Sequence, residues 1–345
     1  MLKSWVNARQ RSTRLGGLAG GATTGNDGGN QENTACGRFS DATGGKASAF
    51  GWEADAFASE SVAVGANAQV DAASTYGVAI GRNARVEDTS VGGVAIGRNS
   101  HVQGESTVAV GQDSNADGTR AIAIGRLSQS TANRTIAMGS AANASADHAV
   151  SIGAESDATG LDSTAMGYLA MAAGTDDTAL GSRSTVLADQ GTAVGAGATV
   201  GSGHTNSSAI GAGASTTTSN QMVYGTGAET HTMPGVTSGL SAARQSGPLQ
   251  LVTTDAAGNL ASDGGAFAEG IAMGIALHNP DLKNDERFGA AVNWGNFNGV
   301  ANALGLSFIG VVHQDAKARL SLNAGAAFGL ANQTFGGYAG AQVAW

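Results

Sequence analysis

One tetrapeptide pattern recurs at nearly fixed intervals through the first two thirds of the chain. A small or β-branched residue is followed by alanine, an apolar residue and glycine, and the 14 glycines run from Gly37 to Gly225. Their spacing is 14 residues except for three gaps of 16, which end at Gly81, Gly97 and Gly211. A fixed repeat of this kind is typical of a solenoid, in which each repeat forms one coil and stacked coils share a core. The sequence predicts 14 coils over residues 34–230.

The positions around each coil glycine are nearly as regular as the glycine itself. The residue directly before it is apolar in all 14 coils, the residue two before it is alanine in 12, and the residue three after it is alanine or serine in every coil. Because side chains alternate between the two faces of a strand, alanine and glycine share one face and the apolar residues share the other. Each coil is therefore predicted to contain two short strands, packed closely across the alanine face and joined by tight turns.

The apolar residues form a continuous stripe along the predicted solenoid. A thin coil filled with alanine has little room to bury this stripe, and a long exposed apolar strip is an association surface. We therefore expect the stripe to face other copies of the chain in an obligate oligomer. Its members include Val64, Ile80, Ile96, Val110, Ile124, Ile152, Val194 and Ile210.

Composition agrees with a core of small side chains and excludes several classes of protein. Glycine supplies 54 of the 345 residues, more than twice the average share, and only 13% of residues are charged. With three prolines and no Gly-X-Y period, the chain is not collagen-like. The net charge of −9 disfavours a nucleic-acid partner, because phosphate binding requires a basic surface. The single cysteine, Cys36, excludes an intramolecular disulfide framework and a cysteine zinc cluster.

The segment GVAIGRNARVEDTSVGGVAIGRNSHVQ resembles the head repeats of the trimeric autotransporter adhesins, the YadA-like family. The resemblance extends over all 14 coils. It implies an all-β fold in which three left-handed parallel β-rolls pack around a threefold axis. A structural fibre that uses the same roll, such as a phage tail-fibre tip, is the alternative.

The last eighty residues have a different pattern. A helix is predicted over 266–277, where Gly270 and Gly274 are spaced for close helical packing, and it ends at Asn279 and Pro280. Four segments of alternating apolar and polar residues follow, at 287–294, 300–312, 317–328 and 335–345. Segments of about ten residues with this alternation are typical of transmembrane β-barrels. A small soluble antiparallel sheet is the alternative.

Four strands are too few to close a barrel, since the smallest single-chain barrels have about eight, and open strand edges do not occur in lipid. A membrane barrel must then be shared between chains, and three copies of about four strands would supply about twelve. The residues expected on its lipid-facing side are Phe288, Trp294, Leu306, Phe308, Leu320, Leu322, Phe328, Val343 and Trp345.

Three segments of this region, GIAMGIALHNPDL, ERFGAAVNWGNFNG and LSLNAGAAFG, together with Trp345, resemble the YadA-like C-terminal membrane anchor. The resemblance implies a trimeric 12-stranded outer-membrane barrel with the preceding helices inside its pore. It also implies that the outer-membrane insertion machinery reads the terminal aromatic strand. The head would then be displayed on the bacterial surface.

The predicted organisation has four parts: an N-terminal segment over 1–33 that we expect to be poorly ordered, the head over 34–230, a connector over 231–265 and the anchor over 266–345. The connector has no heptad run, unlike the coiled-coil stalk usual in the family, and we expect strands around LQLVTTDAAGNL with a turn at Ala257–Gly258. The N-terminus has no apolar stretch typical of a secretory signal. Because an outer-membrane protein must be exported, we expect the sequence to be a truncated or partial one.

The sequence contains no catalytic constellation, so we expect neither an enzyme nor a cofactor. Six histidines occur singly without metal-ligand spacing, and Cys36 occupies the apolar column of the first coil. The expected function is a surface adhesin that binds host matrix or cell surfaces, with self-aggregation as a second role. The three 16-residue coils have two interpretations: turns that protrude and contact a receptor, or insertions that only accommodate drift between coils.

Overall fold

The computed structural model describes residues 32–246, 250–283, 285–297, 301–315, 317–331 and 333–344. Of the predicted N-terminal segment, positions 1–31 lie outside the described residues, and so does Trp345. The described chain divides between Thr230 and His231 into two compact units.

The first unit is a parallel β-solenoid with two sheets, and each coil contributes one strand to each of them over most of the length. We call the larger the apolar sheet; its 14 strands are Thr34–Cys36, Ser48–Phe50, Val62–Val64, Val78–Ile80, Val94–Ile96, Val108–Val110, Ile122–Ile124, Ile136–Met138, Val150–Ile152, Thr164–Met166, Thr178–Leu180, Thr192–Val194, Ser208–Ile210 and Met222–Tyr224. We call the other the polar sheet; its 12 strands are Asp41–Ala42, Asp55–Ala56, Gln69–Val70, Arg85–Val86, His101–Val102, Asn115–Ala116, Gln129–Ser130, Asn143–Ala144, Asp157–Ala158, Met171–Ala172, Thr185–Val186 and Thr199–Val200.

The repeat positions fix the inside of each coil. In the coil that ends at Gly125, Ala123 is fully buried and pairs in register with Ala109 and Ala137 of the adjacent coils. Gly125 has φ +133°, and a Cβ built on it would lie 2.3 Å from the carbonyl oxygen of Gly139. Only glycine allows this backbone conformation together with such close stacking. The predicted two-strand coil is therefore confirmed.

The interchange of serine and alanine three residues after the coil glycine has a local explanation. Ser128 is buried, and its hydroxyl donates a hydrogen bond of 2.9 Å to the carbonyl of Gly125. Ser184 makes the same bond to Gly181 at 2.8 Å. A buried hydroxyl that is satisfied within its own turn needs no partner from another coil. Alanine and serine can therefore alternate at this position.

One buried carboxylate departs from the pattern of small core residues. Asp177 is fully buried, and it accepts backbone hydrogen bonds from Gly174 at 2.6 Å and from Gly191 at 3.0 Å. Burial raises the pKa of this carboxyl group above its ordinary value. Its hydrogen bonds tie two successive coils together, as Asn33 does at the equivalent position of the first coil, where its Oδ1 accepts from the backbone of Ala47 at 2.9 Å.

The second unit begins with the connector. It contains a 3-10 helix at Pro234–Thr237, a short helix at Gly239–Arg244 and an antiparallel hairpin of Val252–Thr254 with Leu260–Ser262. The hairpin and its turn agree with the sequence prediction. The side chain of Asp255 accepts hydrogen bonds from the backbone of Ala257 and Asn259, and Gly258 has φ +83°.

The remainder of the second unit is one helix, Ala266–Ala276, and a four-stranded antiparallel meander. The strands are Phe288–Phe297, Ala301–Gln314, Arg319–Gly329 and Phe335–Ala344, paired in chain order. Within the part of the chain that the structure describes, no helix is both long and apolar enough to cross a membrane. The predicted fold class, a parallel solenoid followed by a helix and four antiparallel strands, is confirmed.

Small residues allow the helix to lie directly on the sheet. Ala272 and Ala276 of the helix are fully buried. A Cβ on Gly295 would lie 1.8 Å from the carbonyl oxygen of Ala272, and one on Gly305 would lie 2.3 Å from that of Ala276. The helix backbone therefore contacts the strand backbone with no room for a side chain between them.

Candidate binding and anchoring surfaces

The predicted stripe lies on the outer face of the apolar sheet. Its members form an in-register column, because Val64 pairs with Ile80, Ile80 with Ile96, and Ile96 with Val110. Ile80, Ile96 and Ile124 are exposed, between 36% and 38% of their full area, and the other members of the set, Val64, Val110, Ile152, Val194 and Ile210, are half-buried. The structure therefore brings all eight predicted residues onto one face. A solvent-facing column of β-branched residues along a solenoid is a candidate association surface.

The outer face of the polar sheet differs in chemistry. The corresponding outward position carries an acid, amide, base or hydroxyl in every strand but one, where it is Met171. The solenoid is therefore amphipathic across its thickness.

A cluster around His101 holds the middle of the polar sheet together. Its Nε2 lies 3.0 Å from Oε1 of Glu87, and its Nδ1 lies 3.3 Å from Oδ1 of Asp117 and 2.8 Å from Oδ1 of Asn115. The hydrogen bond with Asp117, with further contributions from Asn115 and Glu87, raises the pKa of His101 to about 9. The imidazole is therefore a cation at neutral pH, and it links three neighbouring coils.

The turns that follow the coil glycines carry a ladder of side-chain amides. Asn67 donates to Asn83 at 3.3 Å, Asn83 donates to Asn99 at 2.9 Å, and Asn99 donates to the carboxylate of Asp113 at 2.7 Å. All three asparagines have φ of +55°, the left-handed conformation that asparagine tolerates better than most residues. The pKa of Asp113 is lowered by the Asn99 hydrogen bond first and by that of Gln112 second.

The 16-residue coils fold their extra residues partly into the core. Ser74 and Ser90, which lie in two of these coils, are fully buried, whereas the neighbouring Tyr76 is 57% exposed. The hydroxyl of Ser74 donates to the carbonyl of Glu87 in the next coil. One part of the insertion thus packs inward and another part points outward, so the receptor-contact hypothesis stays a prediction.

The four-stranded sheet presents a broad apolar outer face. The predicted residues with the greatest exposure are Phe288 at 66%, Trp294 at 60% and Val343 at 52%, followed by Leu322, Leu306, Phe328 and Phe308. Leu320 is half-buried, and its strand neighbour Ser321 is buried on the opposite face. The rings of Phe288 and Phe308 stack on this outer face with centroids 6.2 Å apart. The predicted residue Trp345 lies outside the described residues.

The two predicted helix glycines lie away from the sheet. Gly270 and Gly274 are exposed, and a Cβ on either would meet no described atom within 4 Å. The helix instead uses Ala272 and Ala276 against the strands. Close packing within one chain therefore uses these alanines, which the sequence prediction did not name. For the glycines it stays a prediction about a further partner.

Glu269 is a functional candidate that sequence reasoning missed. It is fully buried in the helix; its Oε1 accepts a 2.6 Å hydrogen bond from the backbone N–H of Ala331, and its Oε2 accepts a 2.8 Å hydrogen bond from the hydroxyl of Thr334. It joins the helix to the turn between the third and fourth strands, more than sixty residues away. The only sequence signal was an acid on the small-residue face of an otherwise apolar helix.

The described ranges do not bring the histidines and acids together as a metal site. No group of three or more His, Cys, Asp or Glu side chains there is placed to hold a metal ion. Cys36 is half-buried in the outer column of the first coil.

Comparisons with known proteins find relatives of the solenoid repeats. The family model described as YadA head domain repeat (2 copies) matches residues 42–68, 89–114, 103–128, 130–156, 158–184 and 172–198, all within the solenoid. A structure search finds the crystal structure of the collagen-binding domain of the Yersinia adhesin YadA, with 24% identity, a TM-score of 0.33, and coverage of 44% of this chain and 75% of that chain. A search of curated protein sequences finds no significant match.

The fold and the exposed column define a class, the parallel β-solenoid with an outward apolar stripe. Within that class, six segments of the solenoid between residues 42 and 198 match the YadA head domain repeat, and together they cover less than half of the chain. The resemblance to the YadA-like trimeric autotransporter adhesins is thereby confirmed for the repeat region, and it supports an adhesin role.

Proposed function

We propose that this protein is a homotrimeric adhesin of the bacterial surface, with residues 34–230 as its head, 231–265 as a connector and 266–345 as its membrane anchor. The observation that carries the proposal is the combination of YadA head repeats with an exposed apolar column on the same solenoid. We assign it no catalytic role and no cofactor. Its ligands are host matrix or cell-surface molecules, and contacts between heads of different cells give self-aggregation.

In the proposed trimer, left-handed rolls turn their apolar sheets toward the threefold axis. Val64, Val110, Ile152, Val194 and Ile210, with the isoleucines between them, then bury against the same column of two other copies. Removing apolar surface from water stabilises such an interface by about 25 cal/mol per Å². The polar sheet stays in solvent, which is consistent with its acids, amides and hydroxyls.

The anchor is proposed to complete its sheet in the same trimer. The strands Phe288–Phe297 and Phe335–Ala344 are the edges of the four-stranded sheet. Unpaired edges are costly in lipid, and pairing each edge with another copy would close a barrel of about twelve strands. The exposed Phe288, Trp294 and Leu322 would then face lipid, while Gly270 and Gly274 would pack against the helices of the other copies inside the pore.

The proposal places the protein in the outer membrane after export, with the terminal strand and Trp345 read by the insertion machinery. The test is to produce the full chain behind an export signal in a Gram-negative host, fractionate the membranes, and run SDS-PAGE with and without boiling. We expect a heat-sensitive outer-membrane band at three times 33.8 kDa. A chain that is soluble and monomeric would contradict the proposal.

The apolar column is tested by a paired substitution. Ile96→Asp with Ile124→Asp places two carboxylates in the proposed interface and should lower the temperature at which the trimer band dissociates by ten degrees or more, on the order of 2–3 kcal/mol per buried charge. The control is Gln129→Asp with Thr185→Asp on the outer face of the polar sheet, two positions with no charged residue beside them in the column. Equal losses in both variants would argue against the apolar sheet as the trimer interface.

A further inference from the structure

Positive charge is concentrated in one band of the otherwise acidic head. Residues 82–134 contain six arginines and five acids, whereas residues 139–230 contain one arginine and eight acids. Residues 32–81 contain six acids and two basic residues. The coils between residues 82 and 134 are therefore the part of the head to which an anionic ligand would be drawn.

Within this band, three arginines stack in one column at the residue directly after the coil glycine. The turns are in register, because the N–H of Asn99 donates to the carbonyl of Arg82 at 2.9 Å and the N–H of Asp113 donates to that of Arg98 at 2.8 Å. The same bond connects Leu127 to Gln112 and Ala141 to Arg126. We call Arg82, Arg98, Gln112 and Arg126 the arginine ladder. Its rungs are about 4.8 Å apart along the solenoid, the spacing of neighbouring strands.

The guanidinium groups of this ladder are largely uncompensated. Arg82, Arg98 and Arg126 are exposed. Arg98 has one ion pair, at 3.8 Å from Asp113, and the charge of Asp113 also attracts Arg126. The guanidinium groups of Arg82 and Arg126 make no hydrogen bond or ion pair with any described residue. By contrast, Arg85 on the polar sheet is paired with Asp71 and Glu87, and Arg134 hydrogen-bonds to His148. The ladder is therefore the part of the band whose positive charge stays available to a ligand.

The amide ladder lies beside the arginine ladder, one residue further along each turn. Asn67, Asn83 and Asn99 each use one amide hydrogen in the ladder, so each amide keeps a second N–H for an acceptor. The amides of Asn83 and Asn99 lie beside Arg82 and Arg98, whereas the carboxylate of Asp113 lies beside Gln112. Cations and neutral donors therefore run in parallel along the first two rungs of the ladder. A ligand that matches them must be linear and must repeat anionic groups and hydrogen-bond acceptors along its length.

We propose that the arginine ladder and the adjoining amides bind a linear sulfated polysaccharide, which lies along the head axis. The inference rests on the proposed surface display, since only an exported head would meet such a polymer. Guanidinium groups bind oxyanions through paired hydrogen bonds, and amides suit the hydroxyl groups of sugars. Single-stranded nucleic acid fits less well, because it needs aromatic platforms and there is no aromatic residue between Tyr76 and Tyr168.

The test measures binding of immobilised heparin to the purified full-length protein. The variant Arg82→Gln, Arg98→Gln, Arg126→Gln should bind at least about tenfold more weakly, as expected for the loss of several charge-assisted hydrogen bonds. The matched control, Arg120→Gln, Arg134→Gln, Arg183→Gln, removes the same charge elsewhere and should change binding by less than about threefold. The corresponding triple Arg→Lys variant should recover part of the loss. Binding of the unaltered protein should weaken steeply with added salt.

Several results would overturn the proposal. The first is unchanged heparin binding by the ladder variant, and the second is an equal loss of binding in the ladder and control variants. The third is that hyaluronan, which carries carboxylates without sulfate, or DNA binds as tightly as heparin. Each variant is also run on unboiled SDS-PAGE, and a ladder variant that loses the trimer band would show that the arginines contact another copy instead. If the unaltered chain binds heparin but is neither trimeric nor in the outer membrane, the proposed function fails and the ladder site stands.

Discussion

Asp55 stacks directly on Asp41 in the polar sheet, and its pKa lies well above the ordinary value of an aspartate. Burial first, then the charges of Asp41 and Glu53, raise its pKa from 3.8 to about 6. A raised pKa means that folding favours the protonated form. The contribution of Asp55 to the free energy of unfolding is therefore fully favourable below about pH 3.8 and is lost as the pH rises through about 6.

Replacing Asp55 by asparagine should remove this pH dependence. At pH 8 the Asp55→Asn variant should be more stable than the unaltered protein, on the order of 1 kcal/mol once solvent screening of this half-buried site is considered. At pH 4 the difference should nearly vanish, because the native carboxyl group is then protonated. Thermal unfolding followed by circular dichroism at the two pH values measures both.

The control for this prediction is Asp157→Asn in the same column. Asp157 accepts a 2.7 Å hydrogen bond from Asn143 and pairs with Met171 on its other side, so no second acid adjoins it in the column. Its substitution should not give the gain in stability at pH 8 that is expected of Asp55→Asn. If Asp55→Asn is no more stable than the unaltered protein at pH 8, the repulsion between stacked carboxylates is not significant.

Residue-level prediction from the sequence succeeded where a position repeats. The alanine and glycine columns predicted the inside of every coil, because the same steric requirement recurs at Gly125 and its equivalents. It could not find Asp177, since an aspartate in a polar turn next to Thr175 and Asp176 looks like a surface residue. Only its full burial and its two backbone donors show that it belongs to the core.

At the scale of elements, the anchor helix shows why small residues predict close packing but not its partner. The helix contains both Gly270/Gly274 and Ala272/Ala276, and either pair permits close approach. The choice depends on the sheet, where Gly295 and Gly305 open a space that fits the alanine face. Both glycines lie in strands well beyond the end of the helix at Ala276, so the helix alone could not reveal which face would be used.

Glu269 gives the element-scale prediction. Glu269→Ala should lower the melting temperature of the anchor, because the N–H of Ala331 and the hydroxyl of Thr334 lose a buried acceptor, at about 1–3 kcal/mol for each unsatisfied group. Glu269→Gln keeps one acceptor oxygen and should lose less. The temperature at which the full-length protein shifts from its folded to its unfolded band on SDS-PAGE reports the change.

The exposed acid Glu286 provides the comparison for Glu269. Its carboxylate accepts a 2.9 Å hydrogen bond from the backbone of Lys283 in the loop before the first strand, so Glu286→Ala removes a similar group from an exposed site. A small effect there and a large one at position 269 are expected. Similar decreases in melting temperature for the two variants would mean that burial of Glu269 does not strengthen the contact between the helix and the turn.

For the whole molecule, the head behaves as a stack in which each coil contacts its neighbours. Strands pair only with the equivalent strand of the adjacent coil, as Ile122–Ile124 does with Val108–Val110 and Ile136–Met138. The stability of such an array is close to a sum over coils and interfaces. What a deletion must preserve is the phase, meaning the position of each apolar residue within its coil. The apolar column has to remain on one sheet along the entire length.

Removing one whole coil should therefore leave the fold intact. Deletion of 126–139 joins Gly125 to Ser140, which restores the next coil in register and brings Ile122–Ile124 against Val150–Ile152. The trimer band and the melting temperature should stay close to those of the unaltered protein.

Removing half a coil should be far more damaging. Deletion of 126–132 leaves 21 residues between Gly125 and Gly153, where two coils of 14 stood. The chain must then either extrude a long loop or place every later apolar residue, from Met138 onward, on the polar side of the solenoid. Either outcome should abolish the trimer band on unboiled SDS-PAGE or lower the melting temperature of the head by well over ten degrees. The misplaced apolar column should lower the free energy of unfolding by several kcal/mol. Because the shorter deletion removes fewer residues, a head that tolerates it better than the 14-residue deletion would show that chain length, and not phase, determines the stability of the solenoid.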